Sequence, residues 1–148
     1  HKILANVRNT RFNEMEYAVP LEAGSECLQE ILRTIIDKGI DVVFPLEYRY
    51  VSRDDTMLSM SSGSEDHAAI SIHRIATEDY RPYFDQIEPV FWKYGGRPHW
   101  GKIHSLGVSQ LENLYPRFNE FRAIRKRLDP TGRMLNEHLR HLFGVDAS

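Results

Sequence analysis

Along the 148-residue chain the hydrophobic positions change period several times, and each change marks an element. In residues 12–20, Met15, Tyr17 and Val19 alternate with charged or small residues, the period of a strand with one buried face. Residues 24–38 place Leu28, Ile31, Leu32, Ile35 and Ile36 at helical spacing, with Gly39 set to end the helix. Residues 42–51 are β-branched and aromatic and predict a second strand despite Pro45. The polar stretch 52–67 predicts a hairpin or loose excursion, and residues 68–76 a third strand. Residues 79–94 predict a helix capped by Thr77 or Asp79, loosened at Pro89 and stopped by Gly95 and Gly96.

A Gly-Pro-His turn follows, then a short helix over 109–114 and a longer one opened by Pro116 at its first position. In the longer helix Phe118, Phe121, Ile124, Arg125 and Leu128 share one side, and "DPTG" closes it. A last short helix covers 136–143. The order β-α-β-β-α-α-α predicts an α+β domain, with a mixed, largely antiparallel sheet, helices on one face and a helical C-terminal part.

Composition narrows the class. Hydrophobic residues make up 41% and charged residues 27%, the balance of one globular domain with its own core. A formal charge of −2 sets up no field that would draw nucleic acid. The basic set Arg117, Arg122, Arg125, Lys126 and Arg127 is interleaved with Glu112, Glu120 and Asp129, the pattern of a solvated helix face. No apolar run approaches the roughly 18–20 residues of a membrane span. No signal-peptide pattern is visible, and the abrupt start at His1 predicts a piece of a longer chain. The single cysteine, Cys27, excludes an internal disulfide and predicts a small buried side chain in a reducing compartment. The expected location is the cytoplasm, with membrane association left open.

Three segments carry candidate chemistry. In "PLEYRYV" the strand alternation turns Glu47, Arg49 and Val51 one way and Leu46, Tyr48 and Tyr50 the other. Glu47 and Arg49 then form either a structural ion pair on a solvated face or a polar floor under a ligand. On such a floor Arg49 would neutralise a developing oxyanion while Glu47 accepted a hydroxyl hydrogen bond. At 4 Å and an effective dielectric near 20, a charge contact of that kind contributes roughly 4 kcal/mol before desolvation. His73, mid-strand with Ser71 and Ile75, is either a hydrogen-bonded core residue or a member of that site, depending on which face it shares.

The stretch "GRPHWGKIH" sets Trp100, Lys102, His99 and His104 on a glycine-rich turn. Lys102 beside Gly101 can approach a ligand closely and stabilise an alkoxide, or it can be a surface lysine over a core tryptophan. No metal is expected: His99 and His104 make no HExxH, and no Cys or acidic partner stands at zinc-ligand spacing. His138 and His141, at i and i+3, add too few ligands to change that.

"PLEYRYV", "AISIHR", "GRPHWGKIH" and "LYPRFNEFRAIRKRLDPTGRMLNEHLRHLF", in this order, resemble the C-terminal part of the aldonolactone oxidases. These are the D-arabinono-1,4-lactone, L-gulono-1,4-lactone and alditol oxidases of the vanillyl-alcohol-oxidase flavoprotein family. The resemblance covers essentially all 148 residues. It implies that residues 1–148 are the C-terminal cap or substrate domain of an FAD-dependent oxidase. FAD would be bound mainly by an N-terminal domain absent from this chain.

Matched residue by residue, the resemblance puts Glu47, Arg49, His73 and Lys102 on the substrate side of the flavin as catalytic residues. It implies that His99, Trp100, Gly101 and His104 serve cofactor binding. The implied reaction is hydride transfer from a carbinol carbon of a sugar lactone or polyol to flavin N5, with loss of the hydroxyl proton. The chain has no GxGxxG and no candidate flavin-linking histidine segment before its first strand, so the domain alone is expected to be inactive. The competing reading is a non-catalytic α+β module that binds a ligand or partner, with a purely structural Glu47–Arg49 pair.

Overall fold

The computed structural model describes residues 10–145. Strand β1 (Phe12–Pro20) is followed by helix α1 (Leu21–Asp37), strands β2 (Glu47–Val51) and β3 (His67–Ile75), and helix α2 (Arg81–Lys93). A two-residue strand β4 (Arg97–Pro98) leads to helices α3 (Val108–Leu114), α4 (Phe118–Leu128) and α5 (Glu137–Phe143). The sheet order is β2-β3-β1-β4 and all three pairings are antiparallel. The expected α+β architecture is therefore present, with one more strand than the periodicity predicts. β4 is too short to show a period, and only its pairing with β1 makes it a strand.

Alternation along β1 and β3 builds the two faces of the sheet. Met15, Tyr17 and Val19 lie across from Ile72, Ile70 and Ala68, all buried, and form the apolar face. Helices α1 and α2 cover that face with Cys27, Ile31, Phe84, Ile87 and Phe91. Burial pushes the Cys27 thiol up to about 12, so it is a packing residue and not a nucleophile. α2 ends at Gly95, whose φ of +66° suits glycine alone at low cost. There the Gly95 and Gly96 amides donate to the Trp92 and Phe91 carbonyls at 3.0 and 2.8 Å.

Helix α1 starts three residues earlier than the sequence expectation, and α2, the second strand and α4 start later. The second strand covers Glu47–Val51 and not 42–51. Residues 42–46 keep the alternation of half-buried and exposed positions but leave the sheet, where Pro45 has no N–H to give. α4 begins at Phe118 and not at Pro116, because the Phe118 amide closes a turn on the Tyr115 carbonyl at 3.1 Å. In α4, Phe118 is buried while Leu128, predicted on the same side, is 75% exposed. The three C-terminal helices close around an aromatic stack of Trp100, Tyr115, Phe118, Phe121 and Phe143.

Candidate functional site

The sheet face turned away from α1 and α2 is polar. Period 2 requires Glu14 and Glu16 to point opposite to Met15 and Tyr17, and the register gives them neighbours. Glu14 pairs with His73, Glu16 with Ser71, and Ser71 in turn with Glu47; Arg49 pairs with Ala69. Glu47, Arg49 and His73 thus share one face of the sheet. Ala69 and Ser71 are small, so the Arg49 side chain crosses β3 above them. Its Nη2 donates to Glu16 Oε1 at 2.6 Å. Arg49 therefore pairs with the buried Glu16 across the sheet, and Glu47 stands exposed on the edge strand.

Downstream of β4 the "GRPHWGKIH" stretch continues along the edge of β1. The His99 amide donates to the Glu16 carbonyl and the Ile103 amide to the Glu14 carbonyl, each at 2.9 Å. Between them the Lys102 amide returns to the His99 carbonyl at 3.0 Å, and the Gly101 amide donates to His99 Nδ1 at 3.0 Å. This turn aims Lys102 across the sheet edge, where its Nζ donates to Glu14 Oε2. The other carboxylate oxygen of Glu14 lies 3.6 Å from His73 Nε2, too far for a hydrogen bond.

Glu14 and Lys102 form the shared wall of two cavities. One, of about 420 Å³, is lined by Glu16, Arg49 and His99 and closed on its far side by Ser59, Met60 and Ser61. The other, of about 630 Å³, is lined by Phe12, Trp100, Gly101 and His138. Two cations and two carboxylates thus meet around one concavity, each cation paired with a carboxylate of β1. Such a site presents donors and acceptors to a polyhydroxylated ligand without a net charge to attract an ion.

The remaining predicted residues divide. His73 lies beneath the cavity, 6% exposed, its ring edge-on to Phe12 at 5.1 Å and its Nδ1 without a hydrogen-bond partner. Trp100 turns its indole into the aromatic stack and donates from Nε1 to the Leu58 carbonyl at 2.7 Å. His104 lines neither cavity; its ring lies 6.3 Å from that of His138, which lines the larger one, and both its ring nitrogens are buried. Burial holds its pKa below the ordinary histidine value, against the pull of Glu88.

The sequence reading missed Glu14 and Glu16, although alternation in "EMEYAVP" already turns both away from the core. It also missed Glu88, buried inside α2, which accepts from the Tyr17 hydroxyl at 2.5 Å and the Ser105 amide at 2.7 Å. Among the described residues, no group of three or more His, Cys, Asp or Glu is placed to hold a metal ion.

Known proteins share this sequence pattern. Residues 1–142 match the family model described as D-arabinono-1,4-lactone oxidase. The chain is 38% identical to an L-gulono-1,4-lactone dehydrogenase of Mycobacterium tuberculosis, over 97% of this chain and 33% of that protein. It is 33% identical to the L-gulonolactone oxidase of Mus musculus, again over 97% of this chain and 33% of that protein. With the alditol oxidase of a Streptomyces species the identity is 32%, over 88% of this chain and 31% of that protein. The chain therefore spans about a third of the length of the curated relatives it matches. By the family model and these relatives together, the chain belongs to the D-arabinono-1,4-lactone oxidase family of flavoproteins.

Proposed function

We propose that these 148 residues are the substrate-side part of an FAD-dependent oxidoreductase that oxidises a CH–OH group of a sugar lactone or polyol. The supporting observation is the convergence of Arg49 and Lys102 on one polar cavity, Arg49 held by the buried Glu16 and Lys102 by the partly buried Glu14 of β1. The donor set fits the reacting edge of a flavin and a neutral hydroxylated substrate. Two cations face the cavity, and no side chain lining it is an aliphatic plug larger than Met60. FAD, when bound, supplies the hydride acceptor, and it would be held mainly by a separate N-terminal domain.

The residues of this chain do the rest. Lys102 donates to the substrate oxygen and steadies the alkoxide character that develops as the carbinol carbon loses its hydride. Arg49 offsets negative charge building on the acceptor side of the cavity. Glu14 and Glu16 hold these two cations in place before substrate arrives, so little reorganisation is needed at the reaction step. His73 lies beside Glu14 without a hydrogen bond to it, and Glu47, exposed on the edge strand of the same face, accepts from a substrate hydroxyl.

The test is made on the complete flavoprotein, mixed without oxygen with L-gulono-1,4-lactone, D-arabinono-1,4-lactone and an alditol. Bleaching of the flavin band at about 450 nm is expected with at least one of them. Lys102→Ala and Arg49→Ala should each lower the reduction rate at least about 100-fold, the scale of one lost preorganised charge contact. No bleaching with any of these compounds would favour the non-catalytic module. Full activity in both variants would remove the two residues from the mechanism.

A further inference from the structure

The excursion between β2 and β3 supplies the far wall of the 420 Å³ cavity through Ser59, Met60 and Ser61. Inside the excursion, Asp54 is the organiser. Its carboxylate accepts from the Thr56 amide at 2.8 Å and the Ser59 hydroxyl at 2.5 Å, and its carbonyl accepts from the Gly63 amide at 3.0 Å. These bonds give the excursion a shape. They do not tell it where to stand relative to the sheet.

That placement comes from donors distant in sequence: the Leu21 amide on the Asp66 carbonyl at 2.9 Å, and three side chains that each reach a backbone carbonyl of the excursion. Arg97 donates to the Ser62 carbonyl, Arg117 to the Asp55 carbonyl at 2.8 Å, and the Trp100 indole to the Leu58 carbonyl at 2.7 Å. Arg97 also reaches the Met60 carbonyl at 3.5 Å and is itself held by the Leu114 carbonyl at 2.8 Å, whereas Trp100 is held by its ring. Its ring is stacked with Phe118 and Phe143, nearly parallel at interplanar angles of 8° and 25°, so α4 and α5 fix its direction. The bond also falls one residue before the cavity-lining run. Two residues on from Trp100, Lys102 forms the near wall. A single turn therefore carries both the cation and the pin that holds the wall facing it.

We propose that Trp100 is a positioning residue: its indole N–H sets the 58–61 segment against the cavity, and Met60 in that segment discriminates among substrates by size. The inference rests on the oxidoreductase reading for its substrate part only. Met60 is the longest unbranched apolar side chain in a lining that also holds Ala18, Val51 and Ala69, and it is suited to lie against the carbon skeleton of a polyhydroxylated ligand. It reads how far that skeleton extends, while the ion pairs read its oxygens.

Trp100→Phe keeps one aromatic ring in the stack, removes the N–H and leaves a small void where the second ring stood. In the complete flavoprotein, amides of residues 54–63 should exchange with deuterium about tenfold faster, the scale of one lost hydrogen bond. KM for the lactone should rise about tenfold, while the limiting rate of flavin reduction stays within about twofold. Met60→Ala, which leaves the pin intact, should change the ratio of kcat/KM between five- and six-carbon lactones by at least about fivefold.

Unchanged exchange in Trp100→Phe overturns the pin. Faster exchange with an unchanged KM overturns the wall as a substrate contact, and so does an unmoved ratio in Met60→Ala. A limiting rate that falls with KM unchanged would make Trp100 part of the reacting centre and overturn its positioning role. If the parent protein reduces its flavin with no lactone or polyol, the oxidoreductase reading fails with the specificity claim, and the exchange experiment still decides the pin by itself.

Discussion

Replacing Glu14 with Gln removes one negative charge and leaves the shape of the side chain nearly unchanged. Glu14 is a largely buried carboxylate bonded to the Lys102 ammonium, whose side chain is 29% exposed. A hydrogen bond to a charged group contributes about 1.5–3 kcal/mol net. Partial solvent access to Lys102 screens some of this, which leaves about 1–2 kcal/mol. If Lys102 has to be held for the reaction step, that energy appears in the barrier as a rate about 5- to 30-fold lower. Single-turnover flavin reduction without oxygen, followed against substrate concentration, separates the limiting rate from binding. The loss is expected in the limiting rate. In a Lys102→Ala background Glu14→Gln should have almost no further effect, because the partner through which it acts is gone. His73 is too far from Glu14 to share a hydrogen bond, so His73→Gln should cost much less than Glu14→Gln. A limiting rate within twofold of the parent, or an equal loss in the Lys102→Ala background, would refute the coupling of Glu14 to Lys102.

Two further outcomes concern stability. Gly24→Ala in α1 should destabilise by about 1–3 kcal/mol even though alanine is the better helix former. A Cβ there would stand 2.4 Å from the Tyr48 hydroxyl and 2.6 Å from the Ala68 Cβ, between helix and sheet. The thermal midpoint should fall by about 2–4 °C per kcal/mol, and an equal or higher midpoint would show that the contact gives way freely. His104 and His67 are both held below the ordinary histidine pKa, chiefly by burial. Their neutral forms are thus favoured in the folded state, so stability is full above the unfolded value of about 6.5 and is lost as pH falls below it. His104→Gln should flatten that acid-side loss in denaturant titrations between about pH 7 and 5, and an unchanged slope would remove His104 as a contributor.

The chain's periodicity determines much of this molecule. Met15, Tyr17 and Val19 on one side of β1 and Ile70 and Ile72 on one side of β3 are core by spacing alone and are buried, whereas of the helical set on α1 Ile31 is fully buried and Leu32 and Ile36 are exposed. The same period sets Glu47 and Arg49 on one face of their strand, since a strand offers only two, whereas His73 joins that face only through the pairing of β2 with β3. The family, too, is legible, because "HWGK" and the "LDP" ending lie at fixed places in one linear order.

Spacing says nothing, however, about which strand lies next to which, or in what register. The Arg49 carboxylate partner had to be found across the sheet. Glu47, two residues away on the same strand, is exposed, whereas Glu16 is brought within 2.6 Å only because β3 presents small residues between them. Glu14 became the hub of Lys102 and His73 through the antiparallel register of β1 with β3 and the docking of the 99–103 turn on the edge of β1. The ring partners of Trp100 on α4 and α5, and the Leu58 carbonyl within reach of its N–H, likewise came from the tertiary structure. The sequence by itself determined faces, because side-chain direction follows from local backbone geometry. Only the tertiary structure decided partners, because a charge finds its counterion through contacts that no local period encodes.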